Sequence, residues 1–201
     1  TPAARRIAVG VMTSEVRISQ RRACALVGAW RSTSRYQSRR KDPEELVGRL
    51  RELAAIAKDS GVTLIHENEK EIYGDIPRRC LEIVRAVDSP ALKLTWDNAN
   101  FVQCGVKPYT EGYELLSPYV DYLQVKDARF ADSVVVPAGE GDGEFRESMR
   151  AFAADGFEGF ASLEPHLQIG HSLGGFSGPD NWRAAHTAFV KVLRDEGIDY
   201  E

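Results

Sequence analysis

The chain has little of what disulfide frameworks, thiolate metal sites and membrane anchors require. Its three cysteines, Cys24, Cys80 and Cys104, are odd in number, far apart and in no metal-ligand spacing, which speaks against a disulfide scaffold or a cysteine zinc site. A reducing, cytoplasmic setting is the resulting expectation. No apolar run approaches the roughly 20 residues of a membrane span, and no signal-peptide pattern opens the chain. The sequence begins at Thr1 rather than Met, so its true start is expected upstream. Acid is nearly missing from one region: residues 1–41 hold ten basic side chains and a single acid, Glu15, for a charge of +9. The remainder holds 16 basic and 29 acidic residues, or −13, so the modest net charge of −4 conceals two unlike segments. A basic segment of that kind suits nucleic acid, and an acidic body does not.

What is present divides accordingly, into a basic segment, 1–41, and a body, 42–201. A chain of 201 residues suits one or two domains and can bury a real core. In the basic segment, residues 3–14 allow a short helix with Ile7, Val11 and Met12 near helical spacing. Ser19 is a plausible N-cap for a second helix, Gln20 to Val27, stopped by Gly28, and Ser32 caps a third piece through Tyr36. Two helices joined by a short turn could lay Arg21 and Arg22 along phosphates. The alternative is a loosely helical cationic tail.

The body alternates helix and strand. Asp42-Pro43 opens a helix with Leu46, Leu50, Leu53 and Ala57 on one face, ended by Gly61. Strands are expected at Val62–Glu67, Ala91–Trp96, Asp121–Val125 and Gly159–Glu164. Helices are expected from Pro77 to Val87, near Glu111–Leu116, at Glu144–Ala154 and about Pro179–Arg194. The order αβαβαβαβα predicts an α/β fold with a parallel sheet. No glycine-rich phosphate fingerprint follows the first strand, which weakens a dinucleotide-binding reading. Period-two parity favours a partial (β/α) TIM-type barrel of about four βα units. Leu92, Leu94 and Trp96 oppose Lys93, Thr95 and Asp97. Leu123 and Val125 oppose Tyr122, Gln124 and Lys126. Ala161 and Leu163 oppose Phe160, Ser162 and Glu164. Such barrels work at the C-terminal strand tips, which here carry Glu67 (with Glu69), Asp97, Gln124 with Lys126 and Asp127, and Glu164 with His166. Carboxylates converging there suit an oxygen-rich Mn²⁺ or Mg²⁺ site, able to stabilise an ene-diolate while a carboxylate moves a proton beside a carbonyl. Rim salt bridges or a solvated acidic loop are the plainer alternatives. The Gly139–Gly143 run is a weak phosphate cradle because its own acids repel phosphate. Cys80 reads as a core thiol and His186 as structural or exposed.

Two resemblances sharpen this. Ile18-Ser-Gln-Arg-Arg-Ala-Cys, with Gly28 and Arg31-Ser-Thr-Ser-Arg-Tyr36, resembles the helix-turn-helix that opens the second reading frame of insertion-sequence transposases. That likeness implies weak DNA binding through Arg21, Arg22, Arg31 and Arg35 rather than strand transfer, and leaves the alternative of a transposase-derived DNA-binding fusion with the barrel part as a remnant. A fusion without selected activity is a third reading. His66-Glu-Asn-Glu-Lys-Glu-Ile-Tyr-Gly-Asp75, Trp96-Asp-Asn-Ala-Asn-Phe101, Val125-Lys-Asp-Ala128, Pro137 to Gly143 and Ser162-Leu-Glu-Pro-His166 resemble the C-terminal half of sugar phosphate isomerases/epimerases, the xylose isomerase-like TIM-barrel superfamily. The resemblance implies a divalent-metal-dependent isomerase or epimerase acting on a sugar or sugar phosphate. Its metal ligands fall on Glu67, Asp97, Gln124 and Glu164, with Glu67 and Glu164 also as the proton-transfer pair. Asn68, Lys126 and His166 are expected to meet substrate. Gln124 stands where the family has histidine, which should weaken metal affinity. The family barrel has eight strands against four expected here, so open sheet edges predict a homo-oligomer and impaired turnover.

Overall fold

A computed structural model describes residues 2–29, 43–170, 174–176 and 178–201, in two compact units, Thr1–Asp42 and Pro43–Glu201. In the first unit, helices α1 (Pro2–Ser14) and α2 (Gln20–Leu26) lie where two short helices were expected and pack on each other. Ser19 caps α2, its side chain accepting the Arg22 N–H at 3.3 Å. Val9, Ala23 and Cys24 are buried together, with Met12, Ile18 and Val27 packed against them. That small core is what a merely solvated cationic tail would lack. The third piece expected from Ser32 to Tyr36, with Arg31 and Arg35, lies outside the described residues.

The second unit alternates as expected: α3 (Pro43–Asp59), β1 (Leu64–Glu67), α4 (Pro77–Val87), β2 (Leu92–Asp97), α5 (Asn98–Gln103), β3 (Val120–Val125), β4 (Asp127–Ala128), β5 (Val135–Val136), α6 (Phe145–Ala154), β6 (Phe160–Leu163) and α7 (Pro179–Glu196). A π turn, Pro108–Tyr113, leads through Glu114–Leu116 into β3, where a plain helix was expected. The strands β1-β2-β3-β6 form one parallel sheet in that order. This is the predicted α/β partial barrel. Short antiparallel pairs, β4 with β5 and Gln168–Gly170 with Gly174–Phe176, were not anticipated. Two and three residues are too few to carry a period-two signal.

Strand parity sorts the two faces. Leu92, Leu94, Trp96, Leu123 and Val125 join the buried core, where Trp96 meets Phe101 and Phe152 edge-on at 5.3 and 5.5 Å. Edge-to-face packing suits the aromatic quadrupole. The opposite face carries Ile65, Tyr122 and Phe160 toward one end and the acids toward the other. Helix α3 departs from the expected stripe. Leu50, Ala54 and Ala57 form its packed seam, whereas Leu46 and Leu53 are 52% and 42% exposed. The seam follows i, i+4, i+7, and the two leucines flank it. Among the described residues no helix is long and apolar enough to cross a membrane.

Candidate metal centre

Parallel pairing brings the C-terminal ends of the strands to one edge of the sheet. Glu67 closes β1 and Asp97 closes β2. Asp97 is in register with Gln124, and Gln124 with Ser162. The Glu164 N–H donates to the Val125 carbonyl at 3.3 Å, carrying that ladder one step past β6. Glu67, Asp97 and Glu164 thereby meet: one oxygen of each lies within 4.8 Å of the others. Residues 97 positions apart in sequence are brought together by alternation along each strand and alignment between strands.

Asp97 is fully buried and held from several sides. Asn68, 2% exposed, clamps its backbone: the Asn68 amide donates to the Asp97 carbonyl at 2.8 Å and accepts the Asp97 N–H at 2.9 Å. The Asp97 side chain also caps α5, accepting the Asn100 N–H at 2.9 Å. Asn100, 1% exposed, donates to Glu67 Oε1 at 3.0 Å and to the Asn68 carbonyl at 2.9 Å. Asn68, expected to face substrate, is therefore committed to positioning Asp97. Sequence reading missed α5 and Asn100, although an Asp followed three residues on by a backbone N–H to satisfy is an ordinary N-cap pattern.

Lys126 is buried against the acids. Its ammonium lies 3.0 Å from Asp97 Oδ2 and hydrogen-bonds Glu164 Oε2. The Gln124 side-chain amide faces Glu67, and with its nitrogen assigned to the carboxylate side it can donate to both Glu67 oxygens. His166, half-buried, has Nε2 3.5 Å from Glu164 Oε1 and takes a left-handed backbone, φ 40°. Burial pushes the Asp97 carboxyl up, to about 7, while Lys126 pulls it down. Burial raises Glu67 too, with Lys126 opposing and Glu164 and Glu69 adding to the rise. Burial alone would drive Lys126 toward neutrality, but Asp97 and Glu164 hold its pKa above the usual lysine range. Burial lowers His166, against the pull of Glu164.

Asp127 turns away from this cluster. Its buried carboxylate accepts the N–H groups of Gly139, Gly141 and Gly143 at 3.1, 3.0 and 2.9 Å, and that of Ala128 at 2.8 Å. The glycine run is thus a cradle for a carboxylate of this same chain, not for phosphate. Glu69 receives the Asn100 amide at 3.4 Å and lies outside the triad. Arg21 and Arg22 are exposed on α2.

Three hard carboxylate oxygens at this spacing fit a divalent cation that favours oxygen ligands. Gln124 fits less well, since a neutral amide oxygen is a poorer ligand than a carboxylate or an imidazole, and beside Glu67 with no ion its NH₂ group is the better-satisfied end. The model of the xylose isomerase-like TIM-barrel family matches residues 3–192. That match runs through the basic segment and adds nothing to the transposase resemblance. No match was found among curated proteins. Among solved structures, a D-tagatose 3-epimerase-like protein superposes with TM-score 0.60 at 20% identity, over 75% of this chain and 54% of its own. A xylose isomerase domain protein from Planctomyces limnophilus gives TM-score 0.62 at 19% identity, over 88% and 64%. A xylose isomerase-like TIM-barrel protein from Mycobacterium smegmatis in complex with magnesium gives 0.56 at 20% identity, over 80% and 54%. The chain spans 54% to 64% of the length of these structures, and at such identities the likeness is one of fold. By its family match the chain belongs to the xylose isomerase-like TIM-barrel family.

Proposed function

We propose that this chain is the metal-holding part of a divalent-metal-dependent sugar or sugar-phosphate isomerase or epimerase. Glu67, Asp97 and Glu164 would hold Mn²⁺ or Mg²⁺, with Gln124 a weak fourth ligand through its carbonyl oxygen. The observation that carries the reading is the convergence of three acids from three strand ends within 4.8 Å. A bound divalent cation supplies electrostatic stabilisation of negative charge developing on substrate oxygens. Glu67 and Glu164 are the pair that takes a proton from the carbon beside a carbonyl and returns it. Burial supports this role for Glu67, because a raised carboxyl pKa moves toward the operating range of a general acid and base. Asn68, Asn100 and the α5 cap hold the acids in place. Lys126 and His166 are the polar groups we assign to substrate oxygens. Calorimetric titration tests the reading: the protein should bind Mn²⁺, and Glu164→Gln should abolish binding. Heat identical in the two proteins would sink it.

A second reading concerns the first unit alone. Its +9 segment and the exposed Arg21 and Arg22 of α2 favour weak, salt-sensitive DNA binding by counterion release. A gel-shift experiment without retardation even at low salt would remove it.

A further inference from the structure

We propose that Lys126 is the built-in counter-ion of the carboxylate cage, so that a divalent cation enters only by displacing its ammonium. The inference rests on the reading that Glu67, Asp97 and Glu164 hold a cation. It concerns what stands in the way of that ion.

The Lys126 side chain is 3% exposed, and its ammonium bridges two of the three acids. It lies 3.0 Å from Asp97 Oδ2 while bonding Glu164 Oε2. A divalent ion shared by the same oxygens needs ligands at about 2.0 to 2.6 Å. An ammonium and such an ion cannot both occupy the gap between Asp97 and Glu164. Charge makes the same point. With all three acids ionised, as a bound cation requires, three carboxylates and one ammonium leave the cage at −2, and removing the ammonium leaves −3. The third acid can be met by a donor as well, since the Gln124 side-chain amide faces Glu67 and satisfies it with its nitrogen on that side. Each acid is therefore met by a donor from β3 or from the residue just beyond it, and only one of those donors is charged.

Displacement is mechanically simple. Lysine is a point charge on a flexible four-carbon stem, and its ammonium can swing without moving the strand. Once displaced it is the nearest cation for an anionic or hydroxyl-rich substrate. Lys126 would thus set a threshold for metal entry and couple that entry to the arrival of substrate charge.

The test is Mn²⁺ affinity by calorimetry on the full chain, with thermal unfolding followed by circular dichroism. Lys126→Met should bind Mn²⁺ at least about tenfold more tightly than wild type, because a repelling unit charge has left the cage. Without metal it should melt below wild type, and Mn²⁺ should restore the difference. Lys126→Arg, which keeps the charge, should show no gain. Lys126→Gln removes the charge but keeps a donor for Asp97, and should show the same gain if the methionine variant does not fold. Wild type binding Mn²⁺ with neutral variants no tighter would overturn the inference while leaving the metal site standing. No binding by wild type or by either neutral variant would overturn both.

Discussion

Buried acids in this fold are stable only where something donates to them, and Asp127 shows how completely that can be arranged. Four backbone N–H groups reach its carboxylate, which places a turn of glycines against it. A Cβ on Gly141 would lie 2.5 Å from both the Ala128 carbonyl and Asp127 Oδ1. The glycines are there for close approach. Asp127→Ala leaves buried N–H groups without an acceptor, and urea unfolding should show a loss of about 3 kcal/mol. Gly141→Ala should cost about 2 kcal/mol by forcing the loop off the carboxylate. Gln124→His supplies an imidazole nitrogen as ligand where an amide now faces Glu67, and Mn²⁺ affinity should rise about tenfold. An unchanged titration curve would show that this position does not face the ion.

Ion pairs tie helix α6 to the C-terminal end of α7, beside the packing of Phe145 on Phe189. Arg146 reaches Asp195 at 3.1 Å and Glu196 at 3.3 Å, and Arg150 reaches Glu196 at 2.8 Å. These arginines hold Glu196 below its ordinary 4.5. Lys191 first, and Arg146 with it, hold Asp195 below 3.8. A carboxyl depressed by folding contributes stability above its unfolded pKa and loses it as pH falls through the folded one. The stability difference between wild type and Arg150→Ala should therefore persist from neutral pH to about pH 5 and shrink toward zero below about pH 4. Unfolding curves across that range check the sign. Period-two parity made the triad legible at this scale: Asp97 opposes Trp96, and Glu164 opposes Leu163, in the sequence itself. What parity cannot report is the rotamer of a long side chain or the partner of an amide. Lys126 could as well have pointed to solvent, and Asn68 to substrate, because neither choice alters the alternation. Helix α5 went unread because its six residues are too few for a 3.6-residue period to emerge. The glycine loop's own acids argue against phosphate, whereas the acid that shapes it, Asp127, lies twelve residues before its first glycine.

Across the second unit, the sheet face opposite the helices leaves large apolar side chains exposed. Phe160 is 77% exposed and Ile65 42%. With Tyr122 they line a cavity of about 490 Å³. Among the described residues β1 and β6 each pair on one side only. Unpaired edges beside exposed aromatics are a template for further strands. The two edges are complementary in direction. A two-fold axis along the strands sets β6 of one copy beside β1 of its partner in parallel, and does so at both seams. Such a pairing would bury the Phe160 face and bring two acid clusters to one mouth. We expect this 201-residue chain to be a dimer at micromolar concentration by size exclusion with light scattering, and Phe160→Asp to shift it toward monomer. The shift should be large, since a charge at an aromatic seam must be desolvated. A wild-type chain that elutes as a stable monomer would show that these edges do not find each other.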